Sequence, residues 1–137
     1  MVPLSNNEHT ADEAGSIMSE TRTMSEKIID EVTSWPGVQA DTEERGEFAF
    51  KVGKREIGHL HGDHIAHFSF PRELWSDLFA QHRIAPHPVF PDKRGPASRR
   101  IDNEDDVRDV IELLRMNYDR AVARRGPVVD GGRQNAS

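Results

Sequence analysis

The sequence predicts an α+β fold, a single small domain in which about three helices pack on one face of an antiparallel meander of three or more strands. Three observations indicate this class. Apolar and polar residues alternate along residues 47–70, as in half-buried strands, and two turns containing glycine divide this stretch into three strands. Helical periodicity flanks it on both sides. The element order is therefore α-βββ-α-(β)-α, which is typical of helices covering one face of an antiparallel sheet.

The first helix begins at a capping box. Thr23 and Glu26 form the Ser/Thr-x-x-Glu pattern of a helix N-terminus. Apolar residues at helical spacing follow, and Pro36-Gly37 ends the helix. These apolar residues are Ile28, Ile29, Val32 and Trp35.

The three strands follow one another through tight turns. The apolar residues of the first strand are Phe48, Phe50 and Val52. Gly53-Lys54 suits a type II′ turn, which needs a positive φ at its first central residue. The second strand covers about Arg55–His61 and the third about His64–Phe70, with a second tight turn at Gly62-Asp63.

A loop and two more helices complete the domain. Pro71 is suited to the first turn of a helix, which then carries apolar residues on one side. Residues 84–100 contain four prolines, so we expect a loop there with at most short edge strands. Acidic residues within 102–106 favour the N-terminus of a last helix with a periodic apolar stripe. That stripe consists of Val107, Val110, Ile111, Leu114 and Tyr118.

Length and composition set the limits of the ordered domain. The chain has 137 residues, enough for one domain with one core. Residues 1–22 and 125–137 are poor in apolar side chains and cannot bury enough surface to offset the entropy of ordering. We therefore expect a disordered leader at 1–22, an ordered domain at 23–124 and a disordered tail at 125–137.

Charge and cysteine content exclude several classes of protein. The net charge of −6 disfavours unspecific binding to nucleic acid or to anionic membranes. A short basic patch at Arg94, Arg99 and Arg100 is followed at once by acidic residues, so we interpret it as a solvated loop. Cysteine is absent, which excludes disulfides, thiolate metal ligands and cysteine nucleophiles. Without a secretory signal or a membrane-spanning apolar run, we expect a cytoplasmic protein that binds neither nucleic acid nor membranes.

Histidines and carboxylates are concentrated in the predicted hairpin, which contains four of the seven histidines together with Glu56 and Asp63. Since residues i and i+2 of a strand point to the same face, His59 and His61 stand side by side. His87 lies between two prolines in the following loop, where functional groups are common. We therefore expect a site for a small-molecule ligand built from these histidines, with the two carboxylates orienting them.

This pattern leaves two chemical interpretations open. In the first, His59 and His61 bind a divalent metal such as Zn²⁺, Fe²⁺ or Mn²⁺, although the sequence requires no cofactor. The candidates for the third ligand are His64, His67, His87, Glu56 and Asp63. In the second, the histidines act as general acids and bases without a metal. Imidazole titrates near neutral pH, and a neighbouring carboxylate orients it.

Several motifs together resemble those of the luciferase-domain family, small prokaryotic proteins related to fungal luciferase. The likeness begins with Val52–Asp63, continues through Phe70-Pro71-Arg72 and residues 86–92, and covers roughly residues 25–122. Its most specific elements are Glu56, His59, His61, Asp63, His87 and a terminal Leu-Leu-x-x-x-Tyr that ends at Tyr118. An aromatic residue that follows the His87 loop in the family is missing here, where residues 93–98 read Lys-Arg-Gly-Pro-Ala-Ser.

This resemblance implies, for the fungal enzymes, oxidation of a hydroxylated pyrone-type luciferin by dioxygen without an established organic cofactor. For this chain it implies a luciferase-like oxidoreductase, an acid–base enzyme or a binder, acting on a small phenolic or enol-type molecule through the histidines. The alternative is a non-enzymatic interaction module of the double-wing type, which has a similar element order, with structural or pH-sensing histidines.

Overall fold

The computed structural model describes residues 22–42 and 47–125. These residues form three helices and a six-stranded antiparallel sheet, which confirms the predicted α+β class. In chain order the elements are α1 (Met24–Thr33), β1 (Val38–Thr42), β2 (Glu47–Val52), β3 (Arg55–His61), β4 (Ile65–Ser69), α2 (Arg72–Ala80), β5 (Ala85–Pro86), β6 (Pro96–Arg100) and α3 (Glu104–Arg125). Apart from Arg22 and Arg125, the leader predicted at 1–22 and the tail predicted at 125–137 lie outside the described residues. None of the described helices is long and apolar enough to cross a membrane.

The six strands form one sheet in the order β1-β2-β3-β4-β6-β5, and neighbouring strands are antiparallel. The predicted three-stranded meander is its centre, from β2 to β4. β1 extends this meander and has no counterpart in the predicted element order. The expectation of at most edge strands within residues 84–100 is wrong, because β6 lies inside the sheet between β4 and β5. Pro96 is tolerated there because it is the first residue of its strand.

Local sequence determines where the elements begin and turn. Thr23 caps α1: its hydroxyl accepts a hydrogen bond from the Glu26 N–H, and the Glu26 carboxylate accepts one from the Thr23 N–H. This confirms the capping box. Gly53 has a φ of 65° at the first position of the β2–β3 turn, as a type II′ turn requires. The β3–β4 turn contains the three residues from Gly62 to His64, rather than the predicted two.

The helices cover one face of the sheet and bury the core there. α3 packs against β3, and α1 packs against α3. Gly58 lets α3 approach β3 closely, since a Cβ at this position would lie 2.5 Å from Leu114 Cδ2 and 3.2 Å from the His67 carbonyl oxygen. The largest fully buried side chains of the described residues are Phe50, Ile28, Ile57, Leu60, Leu78, Ile101, Leu113, Leu114, Val32 and Val110.

The opposite face of the sheet carries polar side chains. Leu60 of β3 is buried against the helices, so its neighbours His59 and His61 point to the other face. β4 places His67 directly opposite His59, and β2 places Glu47 directly opposite His61. Three adjacent strands therefore supply titratable groups to one small area of the face that the helices leave open.

Candidate functional site

Strand pairing brings three histidines together, and a fourth reaches them from the segment after β5. His59 and His67 are direct partners in the β3–β4 pair, and His61 lies two residues further along β3. His87 follows β5, and its ring centroid lies 4.1 Å from that of His67. The other centroid distances are 5.2 Å for His59–His61, 5.2 Å for His59–His67 and 4.6 Å for His61–His67. We call these four residues the histidine cluster; it contains all three histidines that the sequence predicted for the site.

The ring nitrogens of three of these histidines converge. One nitrogen from each of His59, His61 and His67 lies within 4.8 Å of the other two. His59 Nε2 and His67 Nδ1 are 3.3 Å apart. Imidazole nitrogens bind Zn²⁺ at about 2.0–2.1 Å, which places two ligands of a tetrahedral site about 3.3 Å apart. The arrangement can therefore hold a metal ion, or pass a proton between two neutral rings.

Two carboxylates lie against the rings on β3, and the one from Glu56 forms a hydrogen bond with its ring. Glu56 Oε2 lies 2.7 Å from His59 Nδ1, and Glu47 Oε2 lies 3.0 Å from His61 Nε2. A carboxylate accepts a hydrogen bond from the ring nitrogen that carries the proton, so the other nitrogen of a neutral ring keeps its lone pair. In His59 that other nitrogen is Nε2, which faces His67. The hydrogen bond from His59 is the main cause of the lowered pKa of Glu56.

A β-bulge explains how Glu56 reaches His59. In a regular strand, residues three apart point to opposite faces. The β2–β3 register shifts between Phe50 and Lys51, which leaves one extra residue, Ile57, on β3. This extra residue turns the Glu56 side chain to the face of His59. The bulge therefore allows Glu56 to contact His59, which a regular strand would not allow.

Asp63, the other predicted carboxylate, bonds elsewhere. It accepts a hydrogen bond from the Ser25 backbone N–H at 3.2 Å and another from the Ser25 hydroxyl. These bonds tie the β3–β4 turn to the N-terminus of α1, and the side-chain bond is the main cause of the lowered pKa of Asp63. The carboxylate beside His61 is Glu47 instead. Glu47 was not among the predicted site residues, because only the β2–β3 register places it opposite His61.

His67 is the most buried member of the histidine cluster, with 8% of its surface exposed. Burial is the main reason why its pKa falls to about 4, and the neighbouring histidines lower it further. Burial and the charges of His59 and His61 also lower the pKa of His87. Both rings are therefore neutral near pH 7, the form that binds a metal or accepts a proton.

The signal that would have identified His67 is the length of the β3–β4 turn. His59 and His67 each lie four residues from Asp63, the centre of the three-residue turn. With the predicted two-residue turn, His59 would pair with Ala66 instead, and His67 would point toward the helices. His67 therefore remained one of five candidates for a third ligand.

The loop after β5 fixes the ring of His87. Its Nδ1 accepts a hydrogen bond from the backbone N–H of Val89 at 3.1 Å. In the neutral ring the proton is therefore on Nε2, which is able to donate to an oxygen atom. Phe90 lies against this ring with a centroid distance of 5.5 Å, and Lys93 Nζ lies 5.2 Å from the Phe90 centroid. The loop thus gives the cluster one oriented hydrogen-bond donor.

The segment that builds the histidine cluster matches a known family. No curated protein and no solved structure matches the chain. The family model described as the Luciferase domain matches residues 54–117, which include β3, β4, α2, His87 and most of α3. All four clustered histidines and Glu56 fall within this match, in agreement with the likeness that the sequence motifs indicate. Residues 54–117 of this chain are therefore similar to the luciferase-domain family.

Proposed function

We propose that this domain binds a divalent transition metal through His59, His61 and His67, and that small phenolic or enol-type molecules bind and react there. The observation that carries the proposal is the convergence of three imidazole nitrogens within 4.8 Å on one face of the sheet. The family supports this class of ligand, because the related fungal luciferases oxidise a hydroxylated pyrone with dioxygen.

The chemistry of these side chains suits a transition metal. Neutral imidazole is a common ligand of Zn²⁺ and also binds Fe²⁺ and Mn²⁺. The low pKa of His67 keeps its ring unprotonated, so that a metal does not have to displace a proton near neutral pH. Glu56 bonds Nδ1 of His59 and leaves its Nε2 facing His67, and such carboxylates orient metal-bound histidines in many proteins.

Three protein ligands leave coordination positions open to a small molecule. A metal held by these three histidines would supply a positive charge that lowers the pKa of a phenol or enol hydroxyl group and so favours its anion. His87 complements this chemistry, because its Nε2–H is oriented to donate a hydrogen bond to a ligand oxygen. The anion would also be the electron-rich form of such a molecule.

Metal binding by the full-length, untagged protein tests the proposal. We expect about one equivalent of bound metal after dialysis against Zn²⁺, Mn²⁺ or Fe²⁺, and a saturable isotherm in titration calorimetry. His61→Gln removes one partly exposed ligand and should weaken binding at least about tenfold. The matched control is His82→Asn, which replaces a histidine outside the cluster at a φ of 62° that asparagine tolerates. Titration of a hydroxypyrone into the loaded and metal-free proteins then tests the ligand class.

Absence of metal binding, or equal affinity in His61→Gln, would overturn the metal centre. Thermal melts of the metal-free variants separate the proposal from a non-enzymatic module with structural histidines. If the histidines are structural, His61→Gln lowers the melting temperature. If they form a functional site, the melting temperature stays the same or rises, because functional sites are commonly built at a cost to stability.

A further inference from the structure

A polar cavity of about 330 Å³ lies where β3 and β4 separate. The two strands pair only from His61–Ile65 to His59–His67. Beyond that point Asn117 of α3 fills the gap, and its Nδ2 donates to the carbonyl oxygens of Ile57 at 3.1 Å and Ser69 at 3.2 Å. The polar side chains that line this cavity are those of Arg55, Glu56, Ser69, Asn117, Arg120 and Arg124.

The cavity concentrates positive charge in an otherwise acidic chain. Arg55, at the start of β3, lines the same cavity as Arg120 and Arg124 from the last turns of α3. Within the described part of the chain, none of these three guanidinium groups forms an ion pair with a carboxylate. Among the described residues, Glu56 is the one carboxylate in the lining, and it already accepts a hydrogen bond from His59.

Arg120 lies close enough to Arg55 and Arg124 to be repelled by their charges. Burial is the first cause of the lowered pKa of Arg120, and the charges of Arg124 and Arg55 are the next. Arg120 also donates a hydrogen bond to Asn117 Oδ1, which holds its guanidinium against the cavity wall. Holding like charges together costs free energy, and an anion bound between them would remove that cost.

We propose that this cavity binds an oxyanion, the carboxylate or phosphate group of a small ligand, through Arg55, Arg120 and Arg124. Guanidinium groups bind both kinds of oxyanion with paired hydrogen bonds, and Ser69 adds a hydroxyl at the rim. The volume exceeds that of a single oxyanion and leaves room for part of the attached molecule. This proposal goes beyond the metal centre and does not depend on it.

Titration calorimetry of the full-length, metal-free protein with inorganic phosphate and with benzoate tests the site, with ionic strength held constant by chloride. Arg55 and Arg124 are exposed, so Arg55→Gln and Arg124→Gln should fold normally. Each should weaken binding about tenfold, the loss expected for one charged hydrogen bond. Arg108→Gln removes the same charge from the exposed side of α3, where Arg108 pairs with Asp105, and should leave binding unchanged.

The two probes separate the two sources of the oxyanion. Tighter binding of phosphate identifies a phosphorylated ligand, and tighter binding of benzoate identifies a carboxylate. Saturable binding of neither probe would overturn the proposal. An equal loss of affinity in Arg108→Gln would also overturn it, because the binding would then depend on overall charge instead of on the cavity.

Discussion

His67 is the residue of the cluster whose protonation is most affected by burial and by neighbouring charges. Its ring is buried on the open face of the sheet and lies against three other imidazoles. A positive charge there would lose hydration and would face further positive charge whenever a neighbour is protonated. Folding therefore disfavours protonation of His67, and the free energy of unfolding must depend on pH.

Acidification should destabilise the metal-free protein between pH 6.5 and 4. In the unfolded chain His67 takes up a proton near its ordinary pKa of 6.5, whereas in the folded protein its pKa is about 4. The unfolded state binds more protons in this range, so the free energy of unfolding decreases as the pH falls. Between about pH 7 and pH 4.5 we expect a loss of about 2 kcal/mol, measured by urea unfolding in the presence of a chelator.

The variant His67→Gln should lose most of this pH dependence, because its side chain does not titrate. His82→Asn serves as the control, since His82 is exposed and lies outside the cluster. A pH profile that is equally steep in both variants would mean that other groups dominate acid unfolding, and would contradict this role of His67.

Individual site residues were predictable from the sequence only where their position depends on the geometry of a single strand. Alternation along one strand suffices to pair His59 with His61. The contact between Glu56 and His59 depends on the bulge at Ile57, which a single strand does not reveal. The position of His67 depends on one residue of turn length. A bulge or one extra turn residue moves a side chain to the other face of the sheet. Neither changes the alternation of apolar and polar residues in the sequence.

At the scale of elements, β6 shows why the alternation of apolar and polar residues does not identify every strand. Ala97 of β6 is buried and Arg99 lies on the same face, where alternation predicts a second apolar residue. Arg99 is accommodated there because α3 places Asp106 and Asp109 against its guanidinium. A proline, two arginines and a serine show no alternation of apolar and polar residues. The strand therefore forms because of its pairing with the neighbouring strands and not because of its own sequence. Helices with capping residues and long apolar stripes carry their own signal and were predicted.

The close contact between β3 and α3 gives a direct test of the packing. Gly58→Ala should lower the free energy of unfolding by about 2–4 kcal/mol, because its Cβ would collide with Leu114 Cδ2 and crowd the backbone oxygen of His67, and because a side chain is strained at its φ of 156°. Gly95→Ala is the matched control, since its Cβ would lie in ordinary contact with the Phe70 oxygen at 3.6 Å and should cost less than about 0.5 kcal/mol. Urea unfolding of both variants measures the difference. Similar stabilities would show that α3 does not press on β3 at this point.

At the scale of the whole molecule, one ion-pair network joins elements that are distant in sequence. Asp109 of α3 binds Arg83, which follows α2, with Nε 3.0 Å from Oδ1. It also binds Arg99 of β6, whose Nη2 lies 2.6 Å from Asp106 Oδ1. These four side chains are about one-fifth exposed, between 18% and 22%. The network therefore fixes the β5–β6 side of the sheet to the helix layer.

Asp109→Asn should lower the free energy of unfolding by about 2 kcal/mol, because it leaves two half-buried guanidinium groups short of a charged partner. Asp105→Asn makes the same chemical change at an exposed pair with Arg108 and should cost less than about 0.5 kcal/mol. Thermal or urea unfolding distinguishes the two variants. Equal effects would mean that the network contributes no more than an ordinary surface pair.

The division of the sheet into two faces has a consequence for how such a domain evolves. Packing against α1 and α3 settles the fold on one side, while most of the clustered histidines and carboxylates on the other side remain half-exposed. Exchanges among these polar side chains disturb few apolar contacts. A lineage can therefore acquire a new reactivity, or lose an old one, through a few substitutions on a scaffold that stays unchanged.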